Sequence, residues 1–549
     1  MESNRKFKSL SGILFLTGAL ILTGCNSFSY NAEMNIENSY NKNIWYLNTL
    51  DVEIADPSIV DGGDGYYYMY GTTNDLSTTG FYCYRSKNLN YWENLGPCFL
   101  GDPSSWSLTS LWAPNVIKIE DTYYMYYCGS NYNNPPEGKK YLKGISVATS
   151  STPYGPFHEY EGYDYYGNLI TKNDQVFDNL MFEDVEMAAI DPSIFIDDDG
   201  TMYMYFSRDQ YNSNSISFGV KLLDPVTMDL STLTPLARAG YAHYNDLTFN
   251  PNLAWEKGTR NKYWNEAPFV YKSEGKYYLF YSANYWEDVV YGVGYAVSDS
   301  PLGDYAKPCS YESENLFLGL DQFDIGSGWD FMSGTGHHCF FNVGNELFIG
   351  YHAHQDREYG SSTRAFAFDR VVIKDDGSLH VNGPSYSLHP LPEKISGLAN
   401  MSLLADISST SNDDVNKLND YIIPYHFSNP EQQTMQFKFP KGTNTVTLSF
   451  DEEISLSALA IYNAVTLKYV TKEISSIAFD GKTTISNLKM CNDYYQNYFQ
   501  KDEEGYLRPG SPFVAEFNPM KVKEVTITIS SQEECALTEI ILLGGMENE

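Results

Sequence analysis

Five times between Asp56 and Tyr351 a short apolar strand, a Gly/Asp turn and a tyrosine-rich strand follow one another. Asp56-Pro57-Ser58-Ile59-Val60 runs into Tyr66-Tyr67-Tyr68-Met69-Tyr70, and Ala113-Pro114-Asn115-Val116-Ile117 into Tyr123-Tyr124-Met125-Tyr126-Tyr127. Asp191-Pro192-Ser193-Ile194-Phe195 leads to Met202-Tyr203-Met204-Tyr205-Phe206, and Glu266-Ala267-Pro268-Phe269-Val270 to Tyr277-Tyr278-Leu279-Phe280-Tyr281. A degenerate fifth copy pairs His338-Cys339-Phe340-Phe341 with Leu347-Phe348-Ile349-Gly350-Tyr351. One supersecondary unit repeated at such a period cannot bury its apolar face alone, so its copies must pack on one another as a propeller or solenoid.

The spacing favours the propeller. Successive prolines lie 57, 78 and 76 residues apart from Pro57 to Pro268, and each interval fits a four-stranded blade with its loops. Each proline opens a strand just after a loop, where a missing N–H does least harm. Later strands of a blade also repeat: Gly144-Ile145-Ser146-Val147-Ala148 precedes Pro153-Tyr154-Gly155-Pro156, and Gly294-Tyr295-Ala296-Val297-Ser298 precedes Pro301-Leu302-Gly303. The expectation is an all-β chain with a five-bladed β-propeller. First strands of blades line the central channel, so Asp56, Asp191 and Glu266 are expected to converge on one mouth.

After Pro392 the tyrosine repeat ends. Strands such as Thr445-Val446-Thr447-Leu448-Ser449-Phe450 and Val525-Thr526-Ile527-Thr528-Ile529 alternate with period two, the pattern of a half-buried antiparallel sheet. Residues 398–549 are therefore expected to form a β-sandwich accessory domain, either glycan-binding or packed on the propeller, with the propeller itself at 48–397 and a tether at 26–47. Residues 1–25 read as a lipoprotein signal. Arg5, Lys6 and Lys8 precede an apolar run that closes on Leu22-Thr23-Gly24-Cys25. That run is too short for a comfortable membrane span, which points to cleavage and lipid attachment at Cys25 and to a cell-envelope lipoprotein, periplasmic or on the outer-membrane surface.

The formal net charge of −34 argues against nucleic acid as a partner and against a polyanionic substrate. A neutral polysaccharide is unaffected. With Cys25 given to lipid, seven cysteines are left, an odd number with no CxxC spacing, so neither a zinc ribbon nor a redox motif is supported. Cys83 and Cys98 are a candidate pair; most of the others read as buried free thiols.

Three carboxylates gathered on inner strands suit glycosidic bond cleavage. That reaction needs one carboxylic acid to protonate the leaving oxygen and one carboxylate to activate water or attack carbon, and a third can raise the acid's pKa by like-charge repulsion. Here Ala55-Asp56-Pro57-Ser58, Ile190-Asp191-Pro192-Ser193-Ile194-Phe195 and Asn265-Glu266-Ala267-Pro268-Phe269-Val270, with Trp112-Ala113-Pro114 and Gly334-Thr335-Gly336-His337, resemble glycoside hydrolase family 43 over about residues 48–390. The resemblance implies that Asp56 is the general base, Glu266 the general acid and Asp191 the pKa modulator and orienter of an inverting enzyme. An inverting pair stands about 6.5–9.5 Å apart with water between. An Asp before Pro also opens many ordinary turns, so it is the ordered set that carries this reading.

Other polar groups are read in the same light. Asp197-Asp198-Asp199-Gly200 lacks the alternating ligand spacing of a calcium loop and reads as a hairpin turn. His337, His338, His352 and His354 cluster without the Cys pairs or HExxH helix of a zinc site. The resemblance implies a largely water-coordinated calcium ion beside His337; no organic cofactor is expected. Trp112 is a candidate to stack on a sugar ring, or else a blade-packing residue, and Arg364 a candidate to bind substrate hydroxyls or to pair with a surface acid. The insert from Gly162 to Ala189 is the expected place for a loop that closes the pocket and sets specificity.

The expected activity is thus hydrolysis of a pentose-containing plant polysaccharide, first as an α-L-arabinofuranosidase, with β-xylosidase and endo-arabinanase as close alternatives. A non-catalytic, glycan-binding propeller lipoprotein is the alternative of another class, and a related five-bladed family acting on fructose with retention is a third.

Overall fold

The computed structural model describes residues 27–28, 40–72, 80–130, 143–177, 189–208, 215–257, 263–310, 315–320, 332–354, 363–385, 387–425, 430–489 and 511–546. Cys25, with the rest of the signal, and Cys491 lie outside the described residues.

Five four-stranded antiparallel sheets follow one another along the chain. Blade one comprises Ala55–Asp61, Tyr67–Thr72, Gly80–Ser86 and Glu93–Leu100, and blade two Thr109–Ile119, Thr122–Ser130, Gly144–Ser150 and His158–Glu159. Blade three comprises Ala189–Ile196, Met202–Arg208, Ile216–Asp224 and Thr227–Arg238, and blade four Asn265–Ser273, Lys276–Ala283, Gly292–Ser298 and Leu316–Leu318. Blade five, Gly336–Val343, Glu346–His354, Arg364–Ile373 and Leu379–Val381, grows from the degenerate fifth repeat.

The tyrosines explain how neighbouring blades hold together. In the first three blades a buried second-strand tyrosine reaches out of its own sheet: the hydroxyl of Tyr70 donates to the Pro153 carbonyl, that of Tyr126 to Pro225 (2.8 Å) and that of Tyr205 to Pro301 (2.9 Å). Each ring supplies apolar area between sheets while its polar tip satisfies a loop carbonyl of the next blade. Two of those carbonyls belong to the Pro-x-Gly turns that recur in the sequence.

The ring closes through the N-terminal approach. Each blade is built from one continuous stretch of chain, and residues 52–54 lie along the third strand of blade five: Ile54 N–H donates to Arg364 O (3.1 Å), Phe366 N–H donates to Val52 O (2.9 Å), and Glu53 bridges to Ala365. Asn48 extends the seam by donating to the carbonyls of Phe368 and Ser385. Beneath it Asp369 is buried and pushed up to about 7 by desolvation, against the opposing pull of donors from Ser385, Tyr351 and Asn48.

The remaining chain forms a nine-stranded sheet built on two long strands, Gly442–Asn463 and Pro512–Ser531. Register shifts beside Ala458 split the first of these. Val446, Leu448, Ile454 and Leu456 before the shift, and Leu459 and Ile461 after it, enter one apolar core. Ala458, Ala460 and Tyr462 pack on the other face with Trp45, Leu47 and Leu388. Both faces are therefore buried at this end, and the described part of the stretch expected as a tether is packed: Trp45–Tyr46 pair with His389–Pro390, and Trp45 Nε1–H donates to Glu516 (2.9 Å). Asn382, after the last strand of blade five, donates to Tyr421 O and accepts from Ile423 N–H. The described cysteines are all free, Cys83 and Cys98 included, and all but Cys309 are buried.

Candidate active site

Every first strand of the propeller begins with the same irregularity. The register slips between Ala55 and Ser58, Trp112 and Asn115, Ile190 and Ser193, Glu266 and Phe269, and Gly336 and Cys339. Within each slip one non-glycine residue is left-handed: Asp56 (φ 52°), Ala113 (48°), Asp191 (57°), Ala267 (52°) and His337 (45°). Such a conformation costs on the order of 1–2 kcal/mol for a residue with a Cβ. Because all five blades carry it, it belongs to the architecture and is not a peculiarity of the reacting groups. These bulges bend the strand and re-aim its side chains toward the axis.

That register corrects the alignment read from the repeat. Asp56, Ala113, Asp191, Ala267 and His337 are structural equivalents, and Glu266 stands one residue earlier, in the place of Trp112. A bulge re-aims successive side chains differently, so the offset gives Glu266 different surroundings from the two aspartates.

The amide of each bulge residue is satisfied from outside its own strand. Ala113 N–H donates to Thr72 Oγ1 (2.8 Å), His337 N–H to Ser282 Oγ (2.8 Å) and Asp56 N–H to His352 Nδ1 (3.2 Å), each acceptor lying on the second strand of the preceding blade. The Asp191 N–H reaches Cys128 in the same way. In blade four the pattern changes, since Ala267 N–H donates to Asp191 Oδ2 (3.1 Å), the carboxylate of blade three.

Asp56, Asp191 and Glu266 line one pocket of about 340 Å³, together with Trp112, His337 and Arg364. The three carboxyl groups are buried, and their surroundings push them apart. Burial raises Asp56, but His337 and Arg364 foremost outweigh it and hold this carboxyl far below the usual range. His337 Nδ1 lies 3.1 Å from Asp56 Oδ1, and Arg364 Nη1 donates to the same oxygen at 3.3 Å. His352 Nδ1 is 3.4 Å from that oxygen but 3.2 Å from the Asp56 amide. Burial holds this ring down to about 3, so it is neutral. Its Nδ1 then accepts the amide proton and cannot also donate, which leaves His337 and Arg364 to stabilise the anion.

Glu266 sits among neutral donors. Trp264 Nε1–H donates to its Oε2 and the Tyr291 hydroxyl to its Oε1, both at 2.5 Å. Burial raises it to about 7 against those two hydrogen bonds, with the Asp56 charge adding to the rise. Asp191 is pushed well up by burial first, then by Glu266 and by Asp56. Asp191 and Glu266 thus both resist ionisation, while Asp56 alone is held anionic.

The family model for glycosyl hydrolases family 43 matches residues 48–379. This chain belongs to that family. It is 27% identical over 296 residues to an extracellular endo-alpha-(1->5)-L-arabinanase of Thermotoga petrophila, a match covering 48% of this chain and 52% of that protein. It is 26% identical over 289 residues to an arabinoxylan arabinofuranohydrolase of Paenibacillus polymyxa, covering 50% of this chain and 38% of that one. The chain thus spans about half or less of the length of these relatives. A solved endo-1,4-beta-xylanase from Bacteroides thetaiotaomicron VPI-5482 is 28% identical and covers 61% of this chain and 97% of its own, with a TM-score of 0.46.

In this family-43 chain the other expected site residues fall into place unequally. Arg364 pairs with the buried Asp56, and its guanidinium lies 4.4 Å from the centre of the Trp286 ring. Trp112 lines the pocket and also packs against the apolar core between blades two and three; the Lys143 ammonium covers one face of it at 3.4 Å. A sugar that stacks on Trp112 uses the other face or displaces Lys143. The described half of the insert, residues 162–177, lines no part of this pocket.

The histidines divide. His337 and His352 serve Asp56, His354 Nε2 meets the Trp286 carbonyl (2.8 Å), and His338 packs among Phe269, Phe280 and Phe340. With its Nδ1–H on Asp56, a neutral His337 keeps one lone-pair nitrogen, enough for a single metal ligand. Among the described residues no three His, Cys, Asp or Glu side chains group as a metal cage. A calcium ion held here would take His337 from the protein and fill its other positions with water oxygens. Lys143, Trp264, Trp286, Tyr291 and His352 carry no motif. All but Lys143 and Trp264 come from second strands and the loops after them, and only proximity in the fold singles them out.

Proposed function

We propose that this chain is an inverting glycoside hydrolase acting on neutral, pentose-containing plant polysaccharide, first of all as an α-L-arabinofuranosidase. One observation carries the reading: a single pocket holds one carboxyl forced to be anionic, Asp56, and another pushed up to about 7, Glu266. Groups driven apart in this way take the opposite parts of base and acid. Asp56 accepts a proton from the attacking water as its oxygen bonds to the anomeric carbon. Glu266 delivers its proton to the departing glycosidic oxygen as that C–O bond breaks. Asp191, bonded to the Ala267 amide beside Glu266, orients the strand that carries the acid. Burial, with a smaller push from the Asp56 charge, keeps Glu266 protonated. The names of two relatives, an arabinanase and an arabinofuranohydrolase, support the sugar class; β-xylosidase and endo-arabinanase are the alternatives within it.

The test is a screen on aryl α-L-arabinofuranoside, aryl β-D-xyloside, arabinan, xylan and galactan, with product anomers followed by NMR. Release with inverted configuration is expected. No release from any of them would favour the glycan-binding alternative, and retained configuration would sink the base assignment. Glu266→Gln should lose about 10²–10⁴-fold on substrates with poor leaving groups and much less on activated aryl glycosides.

A further inference from the structure

The part of the molecule that the catalytic reading leaves unused is the outer edge of blade three. There the hairpin Gly162–Tyr163 and Leu169–Ile170 lies beside the blade's outermost strand, Thr227–Arg238, and the two border a groove of about 520 Å³ lined in part by Tyr166, Ile170, Gln175, Val176, Thr227 and Leu230. None of its lining residues lines the catalytic pocket. The volume lies within the range of small-ligand sites, about 300–1,000 Å³.

The surface at the groove points to a ligand and to its chemistry. Tyr166, on the groove wall, is exposed by 68%, and Tyr163 and Tyr165 of the same hairpin stand exposed beside it by 65 and 61%, with Leu169 next to them and Leu230 on the facing wall. Aromatic surface displayed in this way offers flat apolar faces to the C–H side of a pyranose or furanose. Gln175, only 8% exposed, lines the groove, and its Oε1 has no hydrogen-bond donor among the described residues. An unmet buried acceptor costs on the order of 1–3 kcal/mol. The amide packs against Gly144, where a Cβ would sit 1.8 Å from its Nε2, so the glycine gives it room beneath the groove.

The platform is set in advance. Asp164 accepts from the amides of Tyr166 and Asn168 and from the Asn168 side chain, which ties the loop into one shape. Tyr165 N–H then donates to Thr227 Oγ1 (2.9 Å), fixing the hairpin to the blade. The same bonds argue against a cation. Asp164 is taken up by its own loop, Asp174 by Thr171 N–H and Oγ1–H, and Asp229 by Ser231. A polyanion is disfavoured by the chain's charge of −34.

We infer that this groove is a second carbohydrate site, which holds a neutral pentosan chain at the propeller's edge while another part of the same polymer occupies the catalytic pocket. The choice of pentosan rests on the proposed function; the groove and its tyrosines do not. Tethering raises the effective concentration of chain at the pocket, so the site matters for polymers and not for small substrates.

The experiment uses the whole chain and the double variant Tyr165→Ala/Tyr166→Ala, two exposed positions whose loss leaves the fold intact. Native electrophoresis through gels containing arabinan, arabinoxylan or no polymer reads binding. Initial rates on aryl arabinofuranoside and on the polymer read catalysis. The expected result is retardation of the parent chain by a pentosan, weakened about fivefold or more per ring in the variant, with polymer rates reduced and aryl glycoside rates within about twofold of the parent. Equal retardation of parent and variant, or no retardation of the parent, overturns the site. Retardation that depends on the tyrosines in a chain inactive on every aryl glycoside would keep the groove and sink the catalytic reading instead.

Discussion

Blades one and four enter the channel through the same bulge and the same proline, yet they deliver carboxyl groups of opposite character. In blade one the carboxyl rides on the left-handed residue itself, Asp56, and meets His337 and Arg364. In blade four that place is Ala267, and the carboxyl comes one residue sooner, on Glu266, to meet an indole and a phenol. Cationic and imidazole donors across the blade seam stabilise an anion; neutral donors in a dry corner leave the proton in place. Which residue of the bulge bears the carboxyl, more than the presence of a carboxyl, separates base from acid.

The comparison can be broken at its strongest point first. Asp56→Asn removes the one group held anionic, and turnover should fall about 10³–10⁴-fold on every substrate, activated or not; a small loss in steady-state rates would undo the assignment of the base. Moving the blade-four carboxyl into the blade-one position, with Glu266→Ala and Ala267→Asp together, should leave the chain about 10²–10³-fold down on poor leaving groups. Recovery of parental rates by that double variant would mean that the offset of one residue is immaterial.

Milder changes sharpen the contrast through pH. Arg364→Met removes a donor from the Asp56 anion, so the Asp56 pKa rises and the acid limb of the kcat/KM profile moves up toward neutrality, with about a tenfold loss at the optimum. Tyr291→Phe removes a donor from the Glu266 anion. Its pKa, about 7 in the parent, should rise by about one unit, so activity persists to higher pH before the acid loses its proton. A downward move of the alkaline limb would contradict the environment described for Glu266.

Much of this was legible in the chain. Five repeats with strand-opening prolines lead directly to five blades, and the three carboxylates stand out because their copies differ from Ala113 and His337 at corresponding points. The offset of Glu266 is marked only by its proline, which directly follows Asp56 but stands two places after Glu266; that the step lies inside a bulge shows only in the slipped register of the partner strand. Tyr291 was missed, and His352 was read only as one of a histidine cluster, for a related reason: each sits on or near a second strand of ordinary composition, and its part depends on the neighbouring blade. The direction of the insert was not legible, because its length says nothing about where it runs; its described half lies against the rim of blade three.

The seam that closes the ring also sets a date for the active site. Residues 52–54 find their strand partners only around Arg364, and the Arg364–Asp56 contact spans 308 positions. Blade one is made early, but its carboxylate stands without its cation and its histidines until the last blade arrives. Contacts of such range form late. The proposed hydrolysis is therefore a property of the finished circle, and a chain caught with four blades assembled would lack the partners of its one anionic carboxyl.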